Sequence, residues 1–354
     1  MDLQKEPIGI LDLTICPGFS VKDNIITEVN QAAMGLLLTP GTDVRTLLLT
    51  GAEEYEAFQG GCLYLKLNLS SEGLGASVIR RDDRDIFLLD QIHDDNVLRA
   101  LALAAQELRD AMTSTIIAAD QLSDYLPATD PAAAEHMARL DRGICRMLRI
   151  VGNMSDAQLW PYLPRQESWN IDSVFAEIFE KAQTLAAHAG IQVTYQGLAK
   201  ELRILADKAQ LERAVLNILS NSLKFTPKGG RIQAKLTMRG RMLRLSIQDN
   251  GCGIREDIRS TLFSRYLRQP AVEDSRFGLG LGMVLIRSAA AAHGGTVLVD
   301  QPEGQGTRVT LTLAIRQNSV SMVRSPMPPV DYAGERDHGL LELSETLPTE
   351  LYQK

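Results

Sequence analysis

Three separated stretches in the second half of the chain carry amides, a carboxylate and glycines at spacings that suit a phosphate-bearing ligand with a flat ring. In LERAVLNILSNSLKFTPKGG, Asn217 and Asn221 stand four residues apart, so a helix projects both from one face. A carboxamide oxygen can ligate Mg²⁺ and its nitrogen can donate to a phosphate, without adding negative charge beside a triphosphate. Lys224, on the adjoining turn, can neutralise phosphate charge. In SIQDNGCGI a strand-like run ends at Asp249, and Asn250, Gly251, Cys252 and Gly253 follow. A carboxylate at a strand end can accept from an exocyclic amine, and glycines let backbone approach a ring closely. In RFGLGLGMVLIRSAAAAHGG, Gly278, Gly280 and Gly282 lead into a helix whose first N–H groups would form an anion site. Taken singly, each stretch has a plainer reading: helix-surface asparagine, a turn, and tight backbone packing.

The elements that must position these residues can be read around them. Ile171 to His188 forms an amphipathic helix, followed by strand-like IQVTY and LRILAD. A helix over about 208–224, strands RIQAKLTM and MLRLSIQD, the glycine-rich loop, a helix near 283–293, and strands TVLVD and TRVTLTLA complete the set. Helices and mostly antiparallel strands in this proportion predict a two-layer α/β sandwich. Upstream, Leu98, Leu101, Ala105, Leu108, Met112, Thr115, Ala119 and Leu122 hold an alternating three-four spacing, the mark of a coiled-coil seam. After the break at YLPATDP the spacing returns at Ala133, Met137, Leu140, Ile144, Met147, Val151 and Met154, predicting two helices folded back antiparallel. Such a narrow seam buries little alone. Pairing with a second copy as a four-helix bundle would complete its core, the alternative being packing against its own flanking domains.

Residues 8 to about 90 read as short strands broken by turns (IGILDLTI, GCLYLKLNL, GASVIRR, DIFLLD), with helical spacing in ITEVNQAAMGLLL, so a small α+β unit is expected. The expected fold is therefore α+β and multidomain: 1–90 a sensor-like unit, 91–165 a dimerising helical hairpin, 166–316 a ligand-binding sandwich and 317–354 a Pro-containing tail. At roughly 150 residues per domain, 354 residues accommodate this division. The tail ends in Leu340, Leu341, Leu343, Leu347, Leu351 and Tyr352, which is too apolar for a purely solvating segment. It is expected either to fray or to dock in an apolar groove.

Composition narrows the function. With 37 Lys plus Arg against 44 Asp plus Glu, the net charge of −7 gives no support to nucleic-acid binding. No apolar run reaches the roughly 18 residues of a membrane-spanning helix, and MDLQKEPIG lacks a signal-peptide pattern, so a cytoplasmic location without membrane insertion is expected. Cys16, Cys62, Cys145 and Cys252 have no CxxC spacing and predict neither zinc nor a disulfide framework.

In this order and spacing the three stretches closely resemble the ATP-binding domain of the histidine-kinase branch of the GHKL superfamily, over roughly residues 165–316. Asn217 and Asn221 match its N box, Asp249 with Gly251 and Gly253 its G1 box, LFSRYLR with Phe263 its F box, and Gly278, Gly280 and Gly282 its G2 box. GQGTRVTLTL matches its closing element. The hairpin resembles the dimerisation and phosphotransfer domain by position and periodicity, and the N-terminal order of elements resembles a shortened PAS sensor. The resemblance implies ATP and Mg²⁺ as ligands, with Asn221 on the metal and Asn217 and Lys224 on phosphates. It further implies Phe225 stacked near adenine, Asp249 on its amino group, and 254–277 as a mobile lid. It also implies a homodimer through 91–165 and a response regulator as partner. Asn217 occupies the place where ATP-hydrolysing relatives carry a Glu base, and an amide cannot deprotonate water, which favours a kinase over an ATP-driven clamp.

The pattern fails at the acceptor. Histidine kinases carry a His-Glu-Leu-Arg-type motif on the first hairpin helix, and here the matching segment is Gln106-Glu107-Leu108-Arg109. Glutamine has no imidazole nitrogen and cannot form a phosphoramidate. Glu107 stands where a kinase keeps its proton acceptor, with nothing beside it to activate. His93 lies 13 residues earlier, about 20 Å along a helix, and His136 is the other hairpin candidate. Three functions follow: a histidine-kinase-like signalling protein whose autokinase activity is lost or relocated; an active kinase using His93 or His136 or phosphorylating a partner; and a non-catalytic, nucleotide-regulated dimeric binding protein.

Overall fold

The computed structural model describes residues 16–36, 38–71, 73–81, 83–90, 94–125, 130–159, 166–255, 262–263, 280–302, 306–317 and 336–353. The run IGILDLTI, His93 and Gly278 lie outside them.

The N-terminal unit comprises β1 (Gly18–Lys22), β2 (Ile25–Val29), α1 (Ala52–Glu56), β3 (Cys62–Leu67), β4 (Leu74–Arg81) and β5 (Arg84–Leu89). Its strands lie in the order β2-β1-β5-β4-β3, all antiparallel. The helical spacing expected from residue 26 onward is not realised: Ile25–Val29 is a strand and only Gln31–Leu36 turns, as a 3₁₀-helix. Two things decide this. Ile25, Ile26, Thr27 and Val29 are β-branched, and Asp23 and Asn24 take φ of 52° and 65°, the left-handed pair of a tight hairpin turn. Side chains alternate across the sheet. Leu63, Leu65 and Leu67 face a core with Phe19, Val78 and Phe87, while Cys62 and Tyr64 face the other way into a second core.

Two long helices follow, α2 (Asp94–Tyr125) and α3 (Pro131–Leu159), packed against each other. Pro131 opens α3, where its missing N–H costs nothing, and Asp130 Oδ1 accepts from the N–H groups of Ala132 and Ala133. The seam divides. Ala105, Met112 and Ala119 are buried against Ile144, Leu148, Val151 and Met154, whereas Leu108, Leu122, Leu140 and Met147 are exposed.

The C-terminal domain contains β6 (Glu167–Asn170), α4 (Ile171–His188), β7 (Gln192–Gln196), β8 (Arg203–Ala206), α5 (Lys208–Phe225), β9 (Arg231–Arg239), β10 (Met242–Asp249), α6 (Leu281–Ala292), β11 (Val297–Asp300) and β12 (Arg308–Ala314). Strands β11-β12-β10-β9-β7 form one layer and the helices the other, with β6 and β8 paired separately. Alternation in β9 and β10 turns Ile232, Ala234, Leu236, Leu243, Leu245 and Ile247 onto the helices. The three-four spacing of Ile171, Val174, Phe175, Ile178, Phe179 and Ala182 does the same for α4. This is the mixed α+β architecture expected.

The two sheets are one. β3 pairs antiparallel with β11 (Val297 with Tyr64, Leu298 with Leu63, Val299 with Cys62), giving a ten-stranded sheet that runs from the N-terminal unit into the C-terminal domain. The tail docks rather than frays. Residues 336–353 form α7 (His338–Glu342) and a 3₁₀-turn at Thr349–Tyr352, and Leu341, Leu343, Leu347 and Tyr352 are buried against α3 and the C-terminal domain.

Candidate functional site

Helix α5 starts at Asp207, whose Oδ1 caps it by accepting from Gln210 N–H at 3.1 Å. Asn217 is buried, donating from Nδ2 to the Arg213 carbonyl at 2.9 Å. That leaves its Oδ1 directed at α6, where a Cβ built on Gly282 would stand 2.9 Å away. Glycine at 282 therefore allows the N-box and G2-box helices to meet. Asn221, one turn on, is half-buried.

Strand β10 delivers Asp249 to the foot of α5. Its Oδ1 accepts from Gly251 N–H at 2.9 Å and Thr307 N–H at 3.0 Å, and its Oδ2 from Ser222 Oγ at 3.1 Å. Two acceptances fill Oδ1, so Oδ2 retains one lone pair, the capacity needed for a single exocyclic amine. Burial pushes the Asp249 carboxyl above its ordinary range, partly offset by those three donors. Gly251 is required by closeness, since a Cβ there would lie 2.5 Å from the Phe225 carbonyl oxygen. That carbonyl accepts from Cys252 N–H at 3.3 Å, tying the end of α5 to the G1 loop. Gly253 has φ of 75°.

Helix α6 opens at Gly280, which has φ of 75° and makes no side-chain cap, so its first N–H groups receive nothing from the residue that precedes them. Twelve residues of helix behind them make that end a fit for phosphate oxygens. The donor set suits Mg-ATP: two carboxamides on one face of α5, a buried carboxylate with one open lone pair, and an uncapped helix start. Among the described residues no group of three or more His, Cys, Asp or Glu could hold a metal.

Lys224 is not open toward such a ligand: its Nζ is 2.7 Å from Glu345 of the tail. Phe225 is half-buried at the end of α5. Phe263 of the F box is buried, its ring 5.7 Å from that of Tyr64, and its carbonyl accepts from Arg287 Nη1 at 2.8 Å. Gln106 is exposed on α2 and donates from Nε2 to Asp110 at 3.1 Å; Glu107 and His136 are exposed as well. Neighbouring Ala105 belongs to the same core as Leu281, Val284 and Leu285, and α6 packs on the hairpin through α3.

Residues not picked out from the sequence carry much of the site's support. Arg213 contacts Asp156 at 2.7 Å and Glu342 at 3.3 Å, and Arg287 contacts Asp90 at 2.6 Å. All but one of these pairs bridge more than 100 positions, so no local pattern announces them.

A family described as histidine kinase-, DNA gyrase B-, and HSP90-like ATPase matches residues 206–317. An uncharacterised sensor-like histidine kinase of Rhizobium meliloti is 26% identical over 272 residues, covering 72% of this chain and 52% of its own. The adaptive-response sensory kinase SasA of Parasynechococcus marenigrum is 27% identical over 247 residues, covering 68% and 61%. This chain thus spans about half to three fifths of those relatives. The crystal structure of full-length ShkA in complex with AMPPNP shares the fold, with a TM-score of 0.51 at 21% identity over 63% of this chain and 47% of that one. No helix among the described residues is long and apolar enough to cross a membrane. Site geometry and relatives agree: residues 206–317 form a GHKL-type ATPase domain, and the chain that carries it is similar to sensor histidine kinases.

Proposed function

We propose that this protein binds Mg-ATP between α5 and α6 and acts as a dimeric, histidine-kinase-like signalling protein that does not phosphorylate itself at the usual hairpin position. The carrying observation is the juxtaposition of Asn217 with the uncapped start of α6, beside a buried Asp249 with one open lone pair. In this reading Asn221 holds Mg²⁺, Asn217 contacts phosphate, Phe225 lies against adenine, Asp249 accepts from its amino group, and Gly251, Gly253, Gly278, Gly280 and Gly282 let backbone close on the nucleotide. ATP supplies the phosphoryl group, and Mg²⁺ neutralises charge on it. The chain supplies orientation. Gln106 offers only an amide where phosphoryl transfer needs a nucleophilic imidazole, so Glu107 has no proton to take there.

The N-terminal unit's strand order supports a PAS-like sensor, and the exposed leucines of the hairpin support pairing with a second copy in a cytoplasmic assembly. A response regulator is the partner this arrangement suits. Incubation with labelled ATP and Mg²⁺, with acid-labile phosphate mapped by residue, tests the reading. Nucleotide binding without phosphohistidine is expected. A phosphoramidate on His93 or His136 would establish the active-kinase alternative, and absence of binding would remove the nucleotide from the function.

A further inference from the structure

The C-terminal segment 336–353 touches both the hairpin and the ATPase domain through side chains of opposite charge. Toward the hairpin, Glu342 accepts from Arg149 Nε at 3.2 Å, and Arg336 lies 3.3 Å from Asp120. Arg142 donates to the carbonyls of Ser344 at 2.9 Å and Glu345 at 3.2 Å. Toward the ATPase domain, Asp337 meets Lys181 at 2.7 Å, Glu342 meets Arg213 at 3.3 Å and Glu345 meets Lys224 at 2.7 Å. Between these ionic contacts Leu341 enters the core shared by α3 and α6, and Leu343 and Leu347 enter the core of the ATPase domain. One segment therefore rivets the ATPase domain to the hairpin.

The two anchoring cations on α5 are placed tellingly. Arg213, Asn217, Asn221 and Lys224 are spaced four, four and three residues apart, so they share one helix face. The tail's two carboxylates hold the ends of that face, and the two N-box amides lie between them. Glu342 sits fully buried against Arg149 and Arg213, a fixed anchor. Glu345 is different, with 23% of its side chain exposed, at the rim of a cleft of about 420 Å³ that Arg146, Lys224 and Lys228 also line. Besides Lys224, Glu345 meets Arg149, whose Nη1 lies 3.4 Å from its Oε1. A triphosphate carries more negative charge than Glu345 and can outbid it for Lys224.

We infer that residues 336–353 form an autoinhibitory strap, in which Glu345 occupies the cation next to the N box and Mg-ATP must displace it to bind fully. The strap holds the ATPase domain against the hairpin when nucleotide is absent, and its release frees that domain to move. This rests on the Mg-ATP reading of the site above.

The test uses the full chain in two forms, wild type and Glu345→Gln. The substitution keeps the side chain's shape at a partly exposed position and leaves Leu341, Leu343 and Leu347 in place. Calorimetric titration with Mg-ATP is expected to show about fivefold tighter binding by the variant, the scale of one partly screened ion pair. Hydrogen exchange on wild type, which needs no variant, is expected to show faster exchange across 338–352 when Mg-ATP is saturating. Equal affinities together with an unchanged tail would overturn the strap and leave the nucleotide site standing. Failure of both forms to bind Mg-ATP would overturn the proposed function and the strap with it.

Discussion

Arg287 donates to Asp90 at 2.6 Å, although 197 positions separate them. The same Nη1 donates to the Phe263 carbonyl, and the guanidinium lies over the Tyr64 ring, 5.1 Å from its centroid. Tyr64 closes the circuit by donating to Asp90 Oδ2 at 2.8 Å. One buried cation on the helix of the G2 box thereby joins the N-terminal sheet to the F box. The β3–β11 pairing alone would align the two units, and Arg287 fixes them to the part of the site that would cover a nucleotide.

Replacing Arg287 by Ala should cost about 3–5 kcal/mol in denaturant unfolding, because it removes one partner of a buried pair and strips the Phe263 carbonyl of its donor. Arg287→Lys should recover only part of this: one ammonium can serve both oxygens as the single Nη1 does, but it lacks the planar guanidinium that lies over the Tyr64 ring. If Arg287→Lys matched wild type, the stacking on Tyr64 would be irrelevant and one charged donor sufficient.

The elements around this junction were legible in the sequence because their signals are local. The three-four spacing from Ile171 and the alternation in 231–249 each express burial of one face, and both elements formed where expected. Asn217, Asp249 and Gly282 could be chosen because their chemistry depends on neighbours a few residues away. Arg287, Arg213 and Glu342 could not, since their partners are set by how finished domains meet. Ile25–Val29 is a strand where the spacing predicts helix, because the left-handed Asp23–Asn24 turn and the β-branched run outweigh the helical spacing that follows. The hairpin seam was legible as a seam, but only packing shows which half of it faces inward.

Asp249 offers a separation of stability from binding. Its carboxyl is held above the ordinary range by burial, so the folded state takes up a proton more readily than the unfolded one. Its contribution therefore favours the fold in acid and is lost as pH rises from the unfolded value through the raised folded one. Asp249→Asn keeps an acceptor for Gly251 and Thr307 and can donate to Ser222. The variant should match wild type in acid and exceed it in thermal stability near neutrality, while losing Mg-ATP affinity. A neutral-pH melting temperature below wild type would show that the carboxylate's hydrogen bonds outweigh its burial.

Gly282→Ala should act on the site without unfolding the domain. Within a helix Ala is preferred over Gly by about 1 kcal/mol, yet the new Cβ would stand 2.9 Å from Asn217 Oδ1. The amide must shift by a few tenths of an ångström, and its orientation toward a phosphate shifts with it. Thermal stability should change little while nucleotide affinity falls. Unaltered affinity would mean that Asn217 does not need its present position.

The hairpin supplies the last prediction. Ala105, Met112 and Ala119 use one edge of the heptad seam inside the chain, while Leu108 and Leu122, fourteen residues apart on the other edge, stay exposed together with Leu140, Met147 and Ile150 of α3. Leu108 is 48% and Met147 42% exposed, so a charge at either position disturbs little in a single chain. In a four-helix bundle both positions would enter the shared core, where an unpaired carboxylate costs several kcal/mol. Leu108→Glu and Met147→Glu should therefore leave the melting curve of the dissociated protein nearly unchanged and raise the dimer dissociation constant by about a hundredfold or more, at 1.4 kcal/mol per decade. Light scattering across a concentration series measures it. A full-length chain that stays monomeric at high micromolar concentration would leave these leucines without the second copy that their spacing calls for.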